Sequence, residues 1–382
     1  MGIDKAYADL QRFSDECTQC AICQTACTLF NNFGLSPIEI AQAVLHDQAS
    51  DECLAAIQRC DLCGRCSSDC ALGLNPASMI KAARQILIEK GRIDPQDYDV
   101  MLVDRDWNFF SIYRETYGIR FDDLQNDRFD ALFFPGCTLA AYAPELTRTA
   151  FGWLQTQGLK VGFTDLCCGK PLDSIGLIQE ADHHLEQLRL QLKTTGARQL
   201  ITACPNCEAH LRSARLAGVE IRSIYALMVE SGVRLSGSQT LTFHDSCPDR
   251  TNSQNPFDIR KLLSGFPQVE MASHGRNAIC CGSGGIVSMI DPDLCAARAQ
   301  RRMTEFAESR ADVCVTSCMS CAHRLARASE PTRVRHCLEY VLGIQVDYAQ
   351  IERNVKAMWE GSAGAINLQR LAQACLPPVK ES

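Results

Sequence analysis

The chain has 382 residues, 46% of them hydrophobic and 22% charged, enough for two or three soluble globular domains. Its formal net charge is -7, concentrated in the first 125 residues, where 11 lysines and arginines stand against 19 acidic residues. That balance excludes the basic face nucleic acid requires; a local acidic surface is simply solvated, and is also compatible with docking a redox partner.

Twenty-three cysteines are the anomaly. The opening Met1-Gly2-Ile3-Asp4-Lys5, soon followed by Asp9, Arg12, Asp15 and Glu16, does not read as a signal peptide. The expectation is therefore cytoplasmic, reduced thiols engaged in metal or redox chemistry rather than a disulfide scaffold. The longest uncharged run, between Glu16 and Glu39, holds four cysteines and is interrupted by Gln19, Gln24, Asn31 and Asn32, so it is not a membrane span.

Residues 1–90 carry one spacing twice: Cys17-x2-Cys20-x2-Cys23-x3-Cys27 and Cys60-x2-Cys63-x2-Cys66-x3-Cys70. This is the bacterial ferredoxin run, in which three cysteines wrap one cubane and the fourth reaches the other. Cross-ligation then predicts one cubane 4Fe-4S cluster on Cys17, Cys20, Cys23 and Cys70, and a second on Cys60, Cys63, Cys66 and Cys27. Thr28 and Ala71 stand where small ferredoxins carry proline after the fourth cysteine. Tetrahedral zinc sites pair two C-x2-C knuckles and have no use for this longer run. Ser36-Pro37 opens a capped helix through Leu45, and Asn75-Pro76 opens another, so this unit is expected to be mainly α-helical.

Residues 91–130 are rich in Asp and aromatics (Tyr98, Trp107, Phe109, Phe110, Tyr113, Tyr117) without a ligand pattern, and read as a packed linker. Residues 131–340 contain an internal repeat. Its first copy holds Cys137, then Cys167-Cys168-Gly169, then Cys204-x2-Cys207; its second holds Cys247, then Cys280-Cys281-Gly282, then Cys318-x2-Cys321. Adjacent side chains on an extended chain point to opposite faces, so neighbouring thiols can serve one centre only where the backbone turns, which the following glycine permits. Short apolar runs at 131–134, 160–163, 199–202, 240–243 and 311–315 precede most of the cysteine groups. Helical periods fill 144–158, 178–195, 258–264 and 292–309 between them. Parallel α/β halves follow, with cysteines at the carboxyl ends of strands. From Glu339 onward the chain reads as a helical packing tail with Leu368, Leu371 and Cys375 on one face, stopped by Pro377-Pro378.

These motifs closely resemble the cysteine-rich (CCG-domain) family of heterodisulfide reductase catalytic subunits, with a fused N-terminal two-cluster ferredoxin module. They are also similar to the iron-sulfur subunits of anaerobic glycerol-3-phosphate dehydrogenase, glycolate oxidase and lactate utilisation systems. The resemblance spans roughly residues 14–325. It implies an α/β C-terminal region of two pseudo-twofold-related CCG lobes preceded by a mainly α-helical two-cluster ferredoxin domain. The units would be 1–90 ferredoxin-type, 91–130 linker, 131–235 first CCG domain, 236–340 second CCG domain and 341–382 tail. It also implies two non-cubane 4Fe-4S clusters flanking and splitting a disulfide: one on Cys137, Cys167, Cys168, Cys204 and Cys207, the other on Cys247, Cys280, Cys281, Cys318 and Cys321. Five cysteines remain, Cys53, Cys295, Cys314, Cys337 and Cys375, and read as small buried hydrophobes.

His244 and Asp245 before Cys247, His323 after Cys321 and His210 after Cys207 stand close enough in sequence to donate protons, or to hydrogen-bond cluster sulfur and tune its potential. Gly282-Ser283-Gly284-Gly285 does not continue into a dinucleotide-binding pattern. A flavoprotein or ferredoxin partner must then supply or accept electrons, peripheral to a membrane complex or free of one. The expected function is an iron-sulfur oxidoreductase subunit carrying electrons through two cubanes to two non-cubane clusters that reduce a small-molecule disulfide. The alternative is an electron-transfer subunit linking a flavoprotein dehydrogenase of a hydroxy acid, glycerol phosphate or acyl-CoA to quinone or another carrier.

Overall fold

A computed structural model describes residues 2–124, 129–251 and 254–374. The N-terminal part is all helix, as its caps predict. Ser36 and Glu39 form a reciprocal capping box, Glu39 N–H donating to Ser36 Oγ (3.4 Å) and Ser36 N–H to Glu39 Oε2 (2.7 Å), so the helix Pro37–Leu45 starts where the sequence places it. Asn75 caps Pro76–Glu89 by accepting from Ser78 N–H at 3.0 Å. With Ile3–Glu16 and Asp51–Gln58 these helices enclose a core of Leu10, Phe13, Ile40, Val44, Ile57, Ile80 and Ile86. Leu172 and Ile175, far along the chain, complete that core, so the helical unit is packed onto the repeat region.

Seven short strands follow among the described residues: β1 (Ala131–Phe134), β2 (Val161–Phe163), β3 (Gln199–Thr202), β4 (Glu220–Ser223), β5 (Leu241–Phe243), β6 (Val313–Thr316) and β7 (Val334–His336). They form two parallel sheets, ordered β2-β1-β3-β4 and β5-β6-β7. The second repeats the β1-β3-β4 order of the first; where β2 would lie it has only a single bridge, Leu241 to Gln268. Nearly every strand residue of β1, β2, β5 and β6 is buried, as parallel strands covered by helices require. Helices Ile178–Thr195 and Pro292–Ser309 take the bounds their periodicity predicts, whereas the helix expected from 258 runs Gln254–Leu262.

The aromatic segment is a small core rather than bare linker. Trp107, Phe109, Phe110 and Tyr117 pack around Ile112 and Tyr113, together with Tyr142, Met358 and Leu371 from distant parts of the chain. In the tail helix Gly361–Ala372 the inward face is Gly364, Asn367 and partly Leu371; Leu368, expected on it, is 56% exposed. Asn367 fixes that rotation by donating to Met358 C=O (2.8 Å) and to Thr116 Oγ1 (3.0 Å), polar anchors an apolar count does not register. Cys375, Pro377 and Pro378 lie outside the described residues. Among the described residues no helix is long and apolar enough to cross a membrane.

Candidate iron-sulfur centres

All cysteines among the described residues are free thiols. In the ferredoxin-type loops the same backbone occurs twice: Gln19 and Ala21 (φ 56° and 60°) match Leu62 and Gly64 (φ 52° and 71°), left-handed residues that curl three cysteines around one point. Cys17, Cys20, Cys23 and Cys70 line one cavity of about 310 Å³. Cys27, Cys60, Cys63 and Cys66 line another, of about 70 Å³. The crossed pairing is thus how the chain groups its thiols, Cys27 capping the helix Thr28–Phe33 that carries it across. The first cavity is the outer one, with Cys20 exposed and the apolar Ile22 and Leu72 open to solvent beside it, while the second is interior.

Five of the six cysteine groups of the repeat sit just beyond the carboxyl end of a strand; the pair Cys280-Cys281 instead follows a loop with the short turn Gly275–Asn277, where the second sheet has no counterpart of β2. Cys137 begins a helix after β1, Cys204 caps Pro205–Ser213 after β3, and Cys318 caps Met319–Ala326 after β6. Gly169 and Gly282 both hold positive φ (77° and 82°), turning the chain after the paired cysteines as expected. The adjacent thiol pairs alternate the same way in both copies. Hydrogen bonds from Cys167 and Cys207 hold Cys168 well below the ordinary thiol range, and those from Cys280 and Cys321 do the same for Cys281. Hydrogen bonding to Cys137 and to Cys247 helps push the outer members Cys167 and Cys280 up. Cys281 Sγ lies 3.2 Å from Cys321 Sγ, and Gly282 N–H donates to Cys280 Sγ at 3.2 Å.

The two copies face each other. Cys137, Cys168, Cys204 and Cys207 of the first and Cys247, Cys281, Cys318 and Cys321 of the second line one chamber of about 170 Å³. Asn206 of the first copy donates to Cys318 Sγ of the second at 3.6 Å, and Ser320 Oγ to Thr138 Oγ1 at 3.1 Å. Cys167 and Cys280 are the members outside the chamber lining. Cys167 lines a separate polar cavity of about 190 Å³ with Cys137, Asp104 and His184, whereas Cys280 lines the inner ferredoxin-type cavity. A hydrogen bond from the Cys280 thiol pulls Cys63 down to about 6, so a thiol of one centre touches a thiol of the next.

The chamber adjoins a cleft of about 820 Å³, the two sharing wall residues Leu62, Lys170, Asn206 and Cys247. Lys81, Lys170, Arg250 and Arg276 line that cleft, with Asp173 bound to both lysines (2.7 and 2.8 Å) and Arg250 Nη2 buried without a partner.

The singled-out polar neighbours separate. Asp245 is bound by Arg260 (2.8 and 3.0 Å) and the Gly275 N–H; burial opposes its ionisation, but Arg260 holds it below the usual carboxylate range. His323 faces away from the thiols, stacked edge-on against Tyr142 with Nε2 3.4 Å from Glu352 Oε2. His210 stands near Cys168 with Nδ1 3.9 Å from Asp173, and His244 stands at Cys281. Of the remaining cysteines, Cys53, Cys295, Cys314 and Cys337 are buried as expected.

Sequence reasoning passed over the residues that join the units. Arg84 is fully buried and donates to the carbonyls of Ile57, Gln58, Cys60, Ser174 and Gly285, at 2.6 to 3.1 Å, tying the helical unit to both copies of the repeat. Asp61 pairs with Arg298 at 2.7 Å across the same joint. A side chain on Gly284 would stand 2.4 Å from Asp61 O, and one on Gly285 2.2 Å from Cys60 O. The glycine run exists so that two backbones can touch there.

The cysteine-rich domain family matches residues 131–212 and 241–326, and the 4Fe-4S dicluster domain family matches 13–74. A subunit of the dihydromethanophenazine:CoB--CoM heterodisulfide reductase of Methanosarcina mazei is 26% identical over 343 residues, covering 83% of this chain and 82% of its own. A subunit of the fumarate reductase (CoM/CoB) of Methanothermobacter marburgensis is 24% identical, covering 69% of this chain and 55% of its own. Among solved structures, a hypothetical protein from Helicobacter pylori shares the fold, with a TM-score of 0.55 over 93% of this chain and 78% of its own at 10% identity.

Proposed function

This chain is a cysteine-rich-domain iron-sulfur oxidoreductase subunit homologous to a heterodisulfide reductase subunit, and we propose that it reduces a small-molecule disulfide in the chamber between its two repeat copies. The single observation carrying this reading is that thiols of both copies line one chamber, whose second copy touches the inner ferredoxin-type site through Cys280 and Cys63.

The donor sets fit the groups the family implies: free thiols, all but Cys20 at least partly buried, converging on cavities with no competing disulfide among the described residues. Cys17, Cys20, Cys23 and Cys70 would hold the outer cubane, and Cys27, Cys60, Cys63 and Cys66 the inner one. Cys137, Cys167, Cys168, Cys204 and Cys207 would hold one non-cubane cluster, and Cys247, Cys280, Cys281, Cys318 and Cys321 the other, the copies being related by an approximate twofold. When bound, the non-cubane pair supplies electrons and thiophilic iron at the S–S bond. Two electrons and two protons turn one disulfide into two thiols.

The chain's own residues admit and hold the substrate. Lys81, Lys170, Arg250 and Arg276 make the entrance cleft attractive to negatively charged arms. Asn206 and Lys170 stand where cleft meets chamber. A flavoprotein or ferredoxin partner delivers electrons at the exposed Cys20 end, in the reducing cytoplasm that so many free thiols require.

The test is anaerobic turnover of a disulfide with reduced viologen, on protein carrying about sixteen irons, as four 4Fe-4S clusters demand. Turnover with a thiol-dependent change in the paramagnetic spectrum is expected. If fully loaded protein reduces no disulfide and ignores thiols, the chain is a relay between a flavoprotein dehydrogenase and another carrier.

A further inference from the structure

The two repeat copies carry the same sulfur pattern but not the same polar surroundings. Three residues before Cys247 stands His244; three before Cys137 stands Phe134. Phe134 is fully buried in an apolar cluster with Cys168 and Cys207. His244 is 2% exposed, and one of its ring nitrogens lies within 4.8 Å of the sulfurs of Cys281 and Cys321.

Its tautomer follows from its neighbour. Arg302 is fully buried and donates Nε–H to His244 Nδ1 at 3.0 Å, while its other nitrogens are held by Ser273 C=O (2.6 Å), Glu305 and Phe243 C=O (3.2 Å). A guanidinium does not give up its protons, so Nδ1 must be the acceptor and Nε2 must carry the hydrogen. Nε2 is buried and has no other hydrogen-bond partner. Protonating Nδ1 would aim a second N–H at the Arg302 N–H that already points to it. His244 is therefore a fixed neutral N–H donor: it has no lone pair free to bind iron.

We propose that the two cysteine-rich sites are electronically unequal, the His244 Nε2–H hydrogen-bonding sulfur at the Cys281/Cys321 site and making that site the one that takes electrons first. This rests on the reading above that both sites are loaded. Hydrogen bonds to cluster sulfur stabilise the reduced, more negative state and raise the potential. The same site is the one in contact with the ferredoxin-type unit, through Cys280 and Cys63, so position and potential agree. Among the described residues no histidine is grouped with two first-site sulfurs in this way: His184 and His210, whose Nε2 atoms are also buried without a partner, come from the helices Ile178–Thr195 and Pro205–Ser213, and the residue matching His210 in the second copy is Arg324. His244 is a positioning residue that tunes the centre without reacting.

The test uses loaded full-length protein in redox titrations followed by electron paramagnetic resonance, the second-site signal being the one lost in Cys281→Ala. His244→Phe, which copies the first site, is expected to shift the reduction equilibrium of that signal about tenfold toward the oxidised form, ~59 mV for one electron, leaving the first-site and ferredoxin-type signals in place. His244→Gln, which keeps an N–H donor, is expected to restore most of the shift. In the native protein, deuterium exchange is expected to remove a proton coupling from the second-site signal. An unchanged potential in His244→Phe, an equal shift of both cysteine-rich signals, or a strong nitrogen coupling marking direct ligation would each overturn the proposal. If His244→Phe loads poorly, the proton coupling and the Gln variant still decide. Iron at about twelve per chain or fewer in the native protein, against about sixteen for four 4Fe-4S clusters, would instead sink the assumption that both sites are loaded, and so the reading beneath.

Discussion

Replacing Gly285 with alanine tests whether the ferredoxin-type unit is docked as described. The residue holds φ +62°, and an added Cβ would lie 2.2 Å from Cys60 O and 2.9 Å from Asp61 Cα. Both are backbone atoms of the loop that carries Cys60 and Cys63, so no side chain can swing aside. Left-handed strain costs about 1–2 kcal/mol, and forced repacking a further ~1–3 kcal/mol. Gly196 supplies the control: it has φ +73° but nothing within 4 Å of the added carbon, so Gly196→Ala bears the strain alone. At ~2–4 °C per kcal/mol in a protein this large, Gly285→Ala is expected to lower Tm by about 4–20 °C and Gly196→Ala by about 2–8 °C. The assay is anaerobic thermal unfolding of loaded protein. Freeze-quenched spectra should add that electrons given to the ferredoxin-type clusters reach the cysteine-rich sites more slowly in Gly285→Ala only. Equal Tm and equal transfer in the two variants would refute the docked joint.

Cys281→Ala should remove one cysteine-rich signal and spare the ferredoxin-type ones; loss of every signal in the same spectra would mean that the units load and fold as one. Cys20→Ser should abolish reduction by a protein donor while small viologens still reduce the inner centres, because Cys20 belongs to the exposed outer cavity; stopped-flow reduction with each donor separates the cases. His336 is fully buried, its Nε2–H donating to Ser317 C=O at 2.9 Å, and burial lowers it to about 4 from 6.5. The unfolded chain therefore binds the extra proton first as pH falls, so the stability from neutral His336 is complete above pH 6.5 and lost toward pH 4. That loss is about 3 kcal/mol at 1.36 kcal/mol per unit. Urea unfolding of native and His336→Gln protein between pH 7.5 and 5 should show a steeper decline for the native chain.

Much of this was legible in the sequence because cysteine spacing is short-range information. Three-residue steps specify a loop, and the loops at Cys17 and Cys60 share left-handed residues at matched positions. The strands preceding cysteines were readable because each is apolar and followed by a glycine, proline or cysteine group. Strands β4 and β7 were not: Glu-Ile-Arg-Ser and Val-Arg-His are too short and too polar for a strand period. Arg84 was invisible for a different reason. It sits in an ordinary helix, and its role is set by five carbonyls from three separated segments. The Gly-Ser-Gly-Gly run reads only as falling short of a dinucleotide-binding pattern, because its close approach to Cys60 and Asp61 is a tertiary contact with a distant segment.

Duplication also explains why the joint matters more than either half. Two copies of one cysteine pattern could make two equivalent centres, and an equivalent pair gives electrons no preferred order. Order enters through what the repeat does not share: the loop of Cys60 to Gly64 is docked against Gly284, Gly285 and Cys280, while the matched Cys167 faces a separate polar cavity. The exposed outer cavity at Cys20, the interior cavity at Cys63, and Cys280 then lie in one sequence of contacts from surface to chamber. A buried arginine donating to carbonyls of all three segments holds that sequence together, because undocking any of them would leave part of a buried guanidinium without its charge-assisted bonds.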